Sequence, residues 1–153
     1  RVLIRKDYSD TLSYSKAVLN VLKEENADLV VLAGFMIILD EIVTKAYPFR
    51  IMNVHPALIP SFCGKGYYGL KVHEAVLEYG VKLTGATVHF VNEEADAGAI
   101  IMQKAVDVLP SDTPEILQKR VMEQVEWKIL PRAVALFCED RIEIKDNKAY
   151  IKQ

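Results

Sequence analysis

Leu29-Val-Val-Leu-Ala33 is a continuous apolar run, closed at once by Gly34. It constrains the fold more than any other stretch. An unbroken apolar run of this length marks a strand covered on both faces, as when helices flank a parallel sheet. Helical patterns lie on either side of it. Upstream, Ser9 or Asp10 caps a helix whose apolar positions include Leu12, Val18, Leu19 and Leu22, and Asn26 ends it. Downstream, Asp40 caps a short helix to about Tyr47. Val2–Ile4 and Ile51–His55 supply two more strands, so the order reads β-α-β-α-β. That order calls for a parallel sheet with right-handed crossovers.

The second half changes character. Ser61–Gly69 holds three glycines, two tyrosines and a lysine, and reads as a loop. Leu70–Tyr79 is helical, with Val72, Ala75, Val76 and Tyr79 on one face and Gly80 at the left-handed position past its end. His73 on this helix reads as a surface or edge residue. Thr84–Val91 and Ala99–Val108 are strands joined by Asn92–Gly98. That loop is too short for a crossover helix, so the two strands either pair antiparallel or are joined by a bent loop. Asp112-Thr-Pro-Glu115 opens a long helix toward Phe137, with Thr113 as N-cap and Pro114 in the first turn. Pro131 is expected to kink or break it. Ile142–Ile151 reads as a hairpin turning at Asp146-Asn147. The class is therefore α/β, a mostly parallel sheet with antiparallel strands toward the C-terminus.

At 153 residues and 51% apolar, the chain is the size of one domain with a real core. A net charge of −2 argues against a nucleic-acid surface. Cys63 and Cys138 lie far apart, without C-x-x-C spacing, and read as free thiols of a reducing compartment, so a cytoplasmic protein is expected. No apolar run reaches the roughly 18 residues of a membrane span, and no signal peptide is recognisable. The chain opens on Arg1, which suggests a fragment or a processed product.

Arg50-Ile-Met-Asn-Val-His-Pro56 carries the clearest chemistry. Asn53 and His55, two apart on an extended backbone, point the same way, and Pro56 stops the strand. The amide can donate to a developing oxyanion, and the imidazole can donate to it or move a proton. The plain alternative is a polar strand end. His89, within Thr87-Val-His-Phe-Val91, and Asp96, before Ala97-Gly98, each have a structural explanation too. A nucleophile reading fails: Cys63 is near His55 in sequence but has no helix N-terminus to lower its pKa. A zinc site of His55, His89 and Asp96 lacks any H-E-x-x-H or H-x-E…C-x-x-C spacing, so no metal is expected.

Taken together, Asn53-Val-His-Pro-Ala-Leu-Ile-Pro60, Gly85-Ala-Thr-Val-His-Phe-Val91 and Asp96-Ala-Gly98 resemble the folate-dependent formyltransferase family. Ala33-Gly-Phe-Met36 and the acidic long helix narrow the resemblance to its purine-synthesis branch, whose acceptor is glycinamide ribonucleotide. His89 stands where the tRNA-formylating branch usually has an apolar residue. The resemblance runs from Ala27 onward.

It implies a Rossmann-like three-layer fold, with residues 1–153 as the C-terminal three-quarters of a single formyltransferase domain. The strand, glycine-rich loop and helix N-terminus that hold the substrate phosphate would precede Arg1. The cosubstrate implied is 10-formyltetrahydrofolate, with no metal. Asn53, His55 and Asp96 carry over as the catalytic set and His89 as its support. Phe35, Met36, Ile37, Ile38, Leu39, Val91, Asn92 and Asp96 carry over to the folate site, and Gly34, Asn53, Pro56 and Glu126 to the acceptor. Ile37 and Thr11 stand where the family often has arginine near the folate tail. The partners implied are these small molecules, with no nucleic acid and no membrane, in a monomer or homodimer. Two alternatives stay open: hydrolysis of formyl folate with water as acceptor, and a silent folate-binding fragment.

Overall fold

The computed structural model describes residues 1–152. Strands β1 (Val30–Leu32), β2 (Ile51–His55), β3 (Leu83–Phe90) and β4 (Ile100–Asp107) lie side by side in that order. β1 and β2 run parallel, with Leu32 opposite Asn53. β2 and β3 are antiparallel, with Asn53 opposite His89 and His55 opposite Thr87; β3 and β4 are antiparallel as well. The expected α/β class is present, and parallel pairing is confined to β1 and β2.

The N-terminal strands differ from expectation. Val2–Ile4 forms no strand. Asp7 N–H donates to the Ile4 carbonyl and Tyr8 N–H to that of Arg5, closing a 3₁₀ turn over Arg5–Asp7 and leaving Val2 exposed. These local bonds satisfy a segment that no described strand adjoins. β1 is also shorter and less covered than the apolar run suggested. Val30 and Leu32 pack against the buried cluster of Val43, Tyr47 and Ile51, which Leu19, Leu22 and Ile42 also cover, but Val31, pointing to the other face, is 40% exposed.

The helix ends follow their local chemistry. In α1 (Thr11–Glu24), Ser13 N–H donates to Asp10 Oδ1 at 2.7 Å while Asp10 N–H donates back to Ser13 Oγ, a reciprocal capping box. Asn26 takes a left-handed φ of 51°, and Ala27 N–H reaches the Leu22 carbonyl while Asn26 N–H reaches that of Lys23. That pair of bonds is a Schellman ending. Asp40 caps α2 (Glu41–Ala46), and its own N–H donates to the buried Ser15 hydroxyl of α1 at 2.9 Å.

In α3 (Leu70–Tyr79) the buried face runs through Val72, His73 and Val76. Tyr79, expected on that face, is exposed; it is the last residue of the helix and packs its ring edge-on against Phe62 instead. His73, expected at the surface, is fully buried.

The long C-terminal helix is divided into α4 (Pro114–Val121), a π-type turn at Met122–Glu126 and α5 (Trp127–Cys138). Pro131 lies inside α5 without ending it, so the expected break comes earlier and for another reason. The buried Leu117, Val121, Val125, Ile129 and Ala133 recur every four residues. An α-helix turns ~100° per residue, so each such step drifts by ~40°. A stripe of four steps would leave the core unless one turn were widened, and the π-type turn widens it. This stripe packs with Met52, Val54, Val88 and Phe90 of the sheet as one core. The hairpin of β5 (Ile142–Lys145) and β6 (Lys148–Ile151) turns at Asp146 and Asn147, both at positive φ. Among the described residues no helix is long and apolar enough to cross a membrane.

Candidate active site

The site is built at the end of β2. Asn53 and His55 share a face there, and the chain beyond them is held by β3 and β4. The Thr87 hydroxyl, opposite His55, donates to the Ala57 carbonyl at 2.7 Å and accepts from Ile59 N–H at 3.1 Å. Gln103 Nε2 donates to the same hydroxyl at 2.9 Å and to the Ile59 carbonyl at 3.0 Å. One buried hydroxyl and one amide thus secure the turn that follows the histidine.

Four polar side chains meet beside this turn. His89 Nδ1–H donates to the Phe90 carbonyl at 2.9 Å, which leaves Nε2 as an acceptor in the neutral ring, with Asn53 Nδ2 3.3 Å from it, and as a donor toward Asp96 in the protonated ring. The Asp96 carboxylate stands between the two imidazoles. Its Oδ1 is 3.5 Å from His89 Nε2 and its Oδ2 is 3.7 Å from His55 Nδ1. His55 Nε2–H donates to the Phe62 carbonyl at 2.8 Å, so Nδ1 is the ring nitrogen left to face the carboxylate. Gly64 N–H donates to Asp96 Oδ2 at 2.8 Å. Burial pushes the Asp96 carboxyl up. The hydrogen bonds from His89 and Gly64 and the two nearby imidazoles outweigh it, and hold the group below the usual carboxylate range. Burial raises the Cys63 thiol, which suits a bystander rather than a nucleophile.

Gly98 completes the frame. A Cβ there would sit 1.7 Å from the Phe90 carbonyl oxygen, the atom that orients His89.

These groups open onto a cavity of about 470 Å³. The segment after β1 supplies Gly34, Phe35, Met36, Ile37, Ile38 and Leu39 to its wall. β2 and its following turn supply Asn53, His55 and Pro56; the end of β3 and its loop supply His89, Val91, Asn92 and Asp96; the π-type turn supplies Glu126. The catalytic, folate and acceptor residues carried over from the resemblance therefore line one cavity, whereas Thr11, which starts α1, and Cys63 are not on its wall. Met36 and Ile38 are each 70% exposed, an apolar face left open to solvent. Burial pushes the Glu126 carboxyl up to about 7.

Three residues of the cavity wall were given no role at this site from the sequence. The Gly64 amide carries no side-chain signal. Lys65 is the only lysine or arginine on the cavity wall among the described residues. His73 also lines the cavity, and burial, followed by the nearby His55, lowers its pKa to about 4. The spacing of Val72 and Val76 on either side of it was the available sign. Among the described residues no group of three or more His, Cys, Asp and Glu side chains is arranged to hold a metal ion.

The family described as Formyl transferase matches residues 1–134. The chain is 47% identical to "Phosphoribosylglycinamide formyltransferase, chloroplastic" of Arabidopsis thaliana over 94% of its own length and 48% of the plant protein's. It thus spans about half of that relative. Among solved structures it resembles glycinamide ribonucleotide transformylase 1 from Symbiobacterium toebii, with a TM-score of 0.90 and 38% identity, covering 99% of this chain and 68% of that one. It also resembles a formyltetrahydrofolate deformylase from Pseudomonas syringae, with a TM-score of 0.82 and 34% identity, covering 94% of this chain and 46% of that one.

Proposed function

The chain belongs to the formyl transferase family, and from that premise we propose that it moves the formyl group of 10-formyltetrahydrofolate onto the primary amine of glycinamide ribonucleotide. One observation carries this reading. Asn53, His55, His89 and Asp96 cluster within hydrogen-bond or ion-pair reach on the wall of a single cavity.

In this reaction the amine attacks the formyl carbon and forms a C–N bond. The carbonyl electron pair moves to oxygen, giving a tetrahedral oxyanion. Asn53 has a second amide N–H beyond the one directed at His89, and His55, whose Nε2–H is held by the Phe62 carbonyl, donates through Nδ1 in its protonated form. These two donors serve the oxyanion. Asp96, ionised beside His55 Nδ1, stabilises positive charge that develops on that ring. Collapse re-forms the carbonyl and breaks the bond to the folate nitrogen. A proton passes from the attacking amine to that nitrogen, with Asp96 as its relay. His89 positions Asp96 and Asn53 together.

The apolar side chains of Phe35–Leu39, with Met36 and Ile38 the most exposed, suit a flat pterin, with Val91, Asn92 and Asp96 on the opposite side. Gly34, Pro56 and Glu126 face the acceptor, and the Glu126 carboxyl takes ribose hydroxyls or the ammonium. The partners are these two small molecules, met in the cytoplasm by a monomer or homodimer.

A second reading, with water as the acceptor, is favoured by the likeness to the deformylase. The test is to incubate the protein with 10-formyltetrahydrofolate, with and without glycinamide ribonucleotide. Tetrahydrofolate release that requires the ribonucleotide supports the transferase. Formate release without it replaces that reading with hydrolysis.

A further inference from the structure

His73 is the buried polar side chain that this chemistry leaves unused. It has no exposed surface, it lines the cavity from α3, and neither ring nitrogen has a hydrogen-bond partner among the described residues. Buried polar side chains are almost always satisfied. An orphaned imidazole on a cavity wall therefore points to a group that enters the cavity and completes it.

The chemistry of that group follows from the ring. Burial keeps the imidazole neutral near physiological pH, so it has no charge with which to hold a phosphate or carboxylate. A neutral imidazole offers one N–H donor and one lone pair. Each suits a group that both donates and accepts. The charged contacts of the cavity are supplied elsewhere, by Lys65, Asp96, Glu93, Glu94 and Glu126.

We propose that His73 is a further binding residue of this cavity, and that it holds a hydroxyl-type group, either a ribose hydroxyl of the acceptor or a water fixed against it. The identity of the acceptor rests on the formyl-transfer reading; the contact itself does not.

His73→Phe keeps a flat ring and removes both polar atoms, whereas His73→Gln restores a donor and an acceptor. With the ribose acceptor, His73→Phe should raise the acceptor KM roughly 10-fold, and His73→Gln should recover most of the loss. Assays with 2′- and 3′-deoxy acceptors separate the two sources. If a ribose hydroxyl is the partner, one deoxy acceptor shows no further penalty in His73→Phe. If water is the partner, the penalty is the same for all acceptors. Unchanged kcat and KM in a folded His73→Phe protein would overturn the proposal. Ring ¹⁵N shifts of His73 in the wild-type protein provide a readout without turnover. Hydrogen-bonded nitrogens, with or without added acceptor, support the contact, and nitrogens that stay free in both states overturn it. A wild-type protein inactive with every acceptor would count against formyl transfer, and the ¹⁵N result would still decide on His73.

Discussion

The Gly64 amide donates to Asp96 Oδ2 at 2.8 Å, across 32 residues of chain. This bond ties the glycine- and tyrosine-rich loop to the carboxylate that stands between the two imidazoles. The same carboxylate oxygen faces His55 Nδ1 at 3.7 Å, so the loop and the histidine meet at one atom.

Asp96→Asn should lower turnover by about 100-fold or more, because an amide keeps the shape but loses the charge that balances the His55 ring. Asn53→Ala, which removes an oxyanion donor, should cost a similar factor. Steady-state formyl transfer measures both. Near-wild-type rates in either variant would remove the mechanism.

Gly98→Ala should displace the Phe90 carbonyl, since a Cβ cannot stand 1.7 Å from its oxygen. The expected cost is about 1–3 kcal/mol in urea denaturation, as for an overpacked core. Activity should fall about 10-fold beyond any loss of folded protein, because His89 Nδ1 loses its aligned acceptor. A folded variant with normal kcat would separate the carbonyl from the site.

Thr87→Val keeps the volume and removes the hydroxyl shared by Ala57, Ile59 and Gln103. Of these partners Ala57 is buried, and stranding its carbonyl should cost about 1–3 kcal/mol. The turn after His55 should also become protease-sensitive before the rest of the protein unfolds. Unchanged stability and unchanged cleavage would show that the turn holds its shape by other means.

Acid should weaken the protein through Asp112. Its carboxylate makes two 2.6 Å bonds to Arg120 and accepts Leu109 N–H. The Arg120 hydrogen bonds, the largest influence, hold its pKa below the ordinary value of 3.8. A lowered folded-state pKa means that the stabilisation is fully present above the unfolded-state value. It is then lost as pH falls through the folded-state one. Asp112→Asn should therefore destabilise at pH 7 and flatten the decline in stability below about pH 4. Urea midpoints across pH 2–7 measure this, and parallel curves for the two proteins would rule it out.

Much of the fold is legible locally. Asp10 and Ser13, Asp40, Thr113 with Pro114, and the positive-φ pair Asp146-Asn147 each mark an element boundary through bonds between near neighbours in the chain. The Asn53-x-His55 spacing places both side chains on one face for the same reason. The widened turn at Met122–Glu126 was present as a strict four-residue apolar period, yet Pro131 is the more conspicuous signal and drew the expected break downstream. Residues such as His73 are harder. A histidine beside Val72 can face either way until the position of α3 against the sheet is known.

The sequence alone determined the order of elements from α1 onward, their caps and the pair of residues that β2 presents, because those follow from backbone geometry within a few residues. Only the tertiary structure decided that Val2–Ile4 would not pair, that His73 would be buried, and that Gly64, His55, His89 and Asp96 would converge. Those outcomes depend on which surfaces come together in space, and bonds between residues 32 or more positions apart leave no periodic trace along the chain.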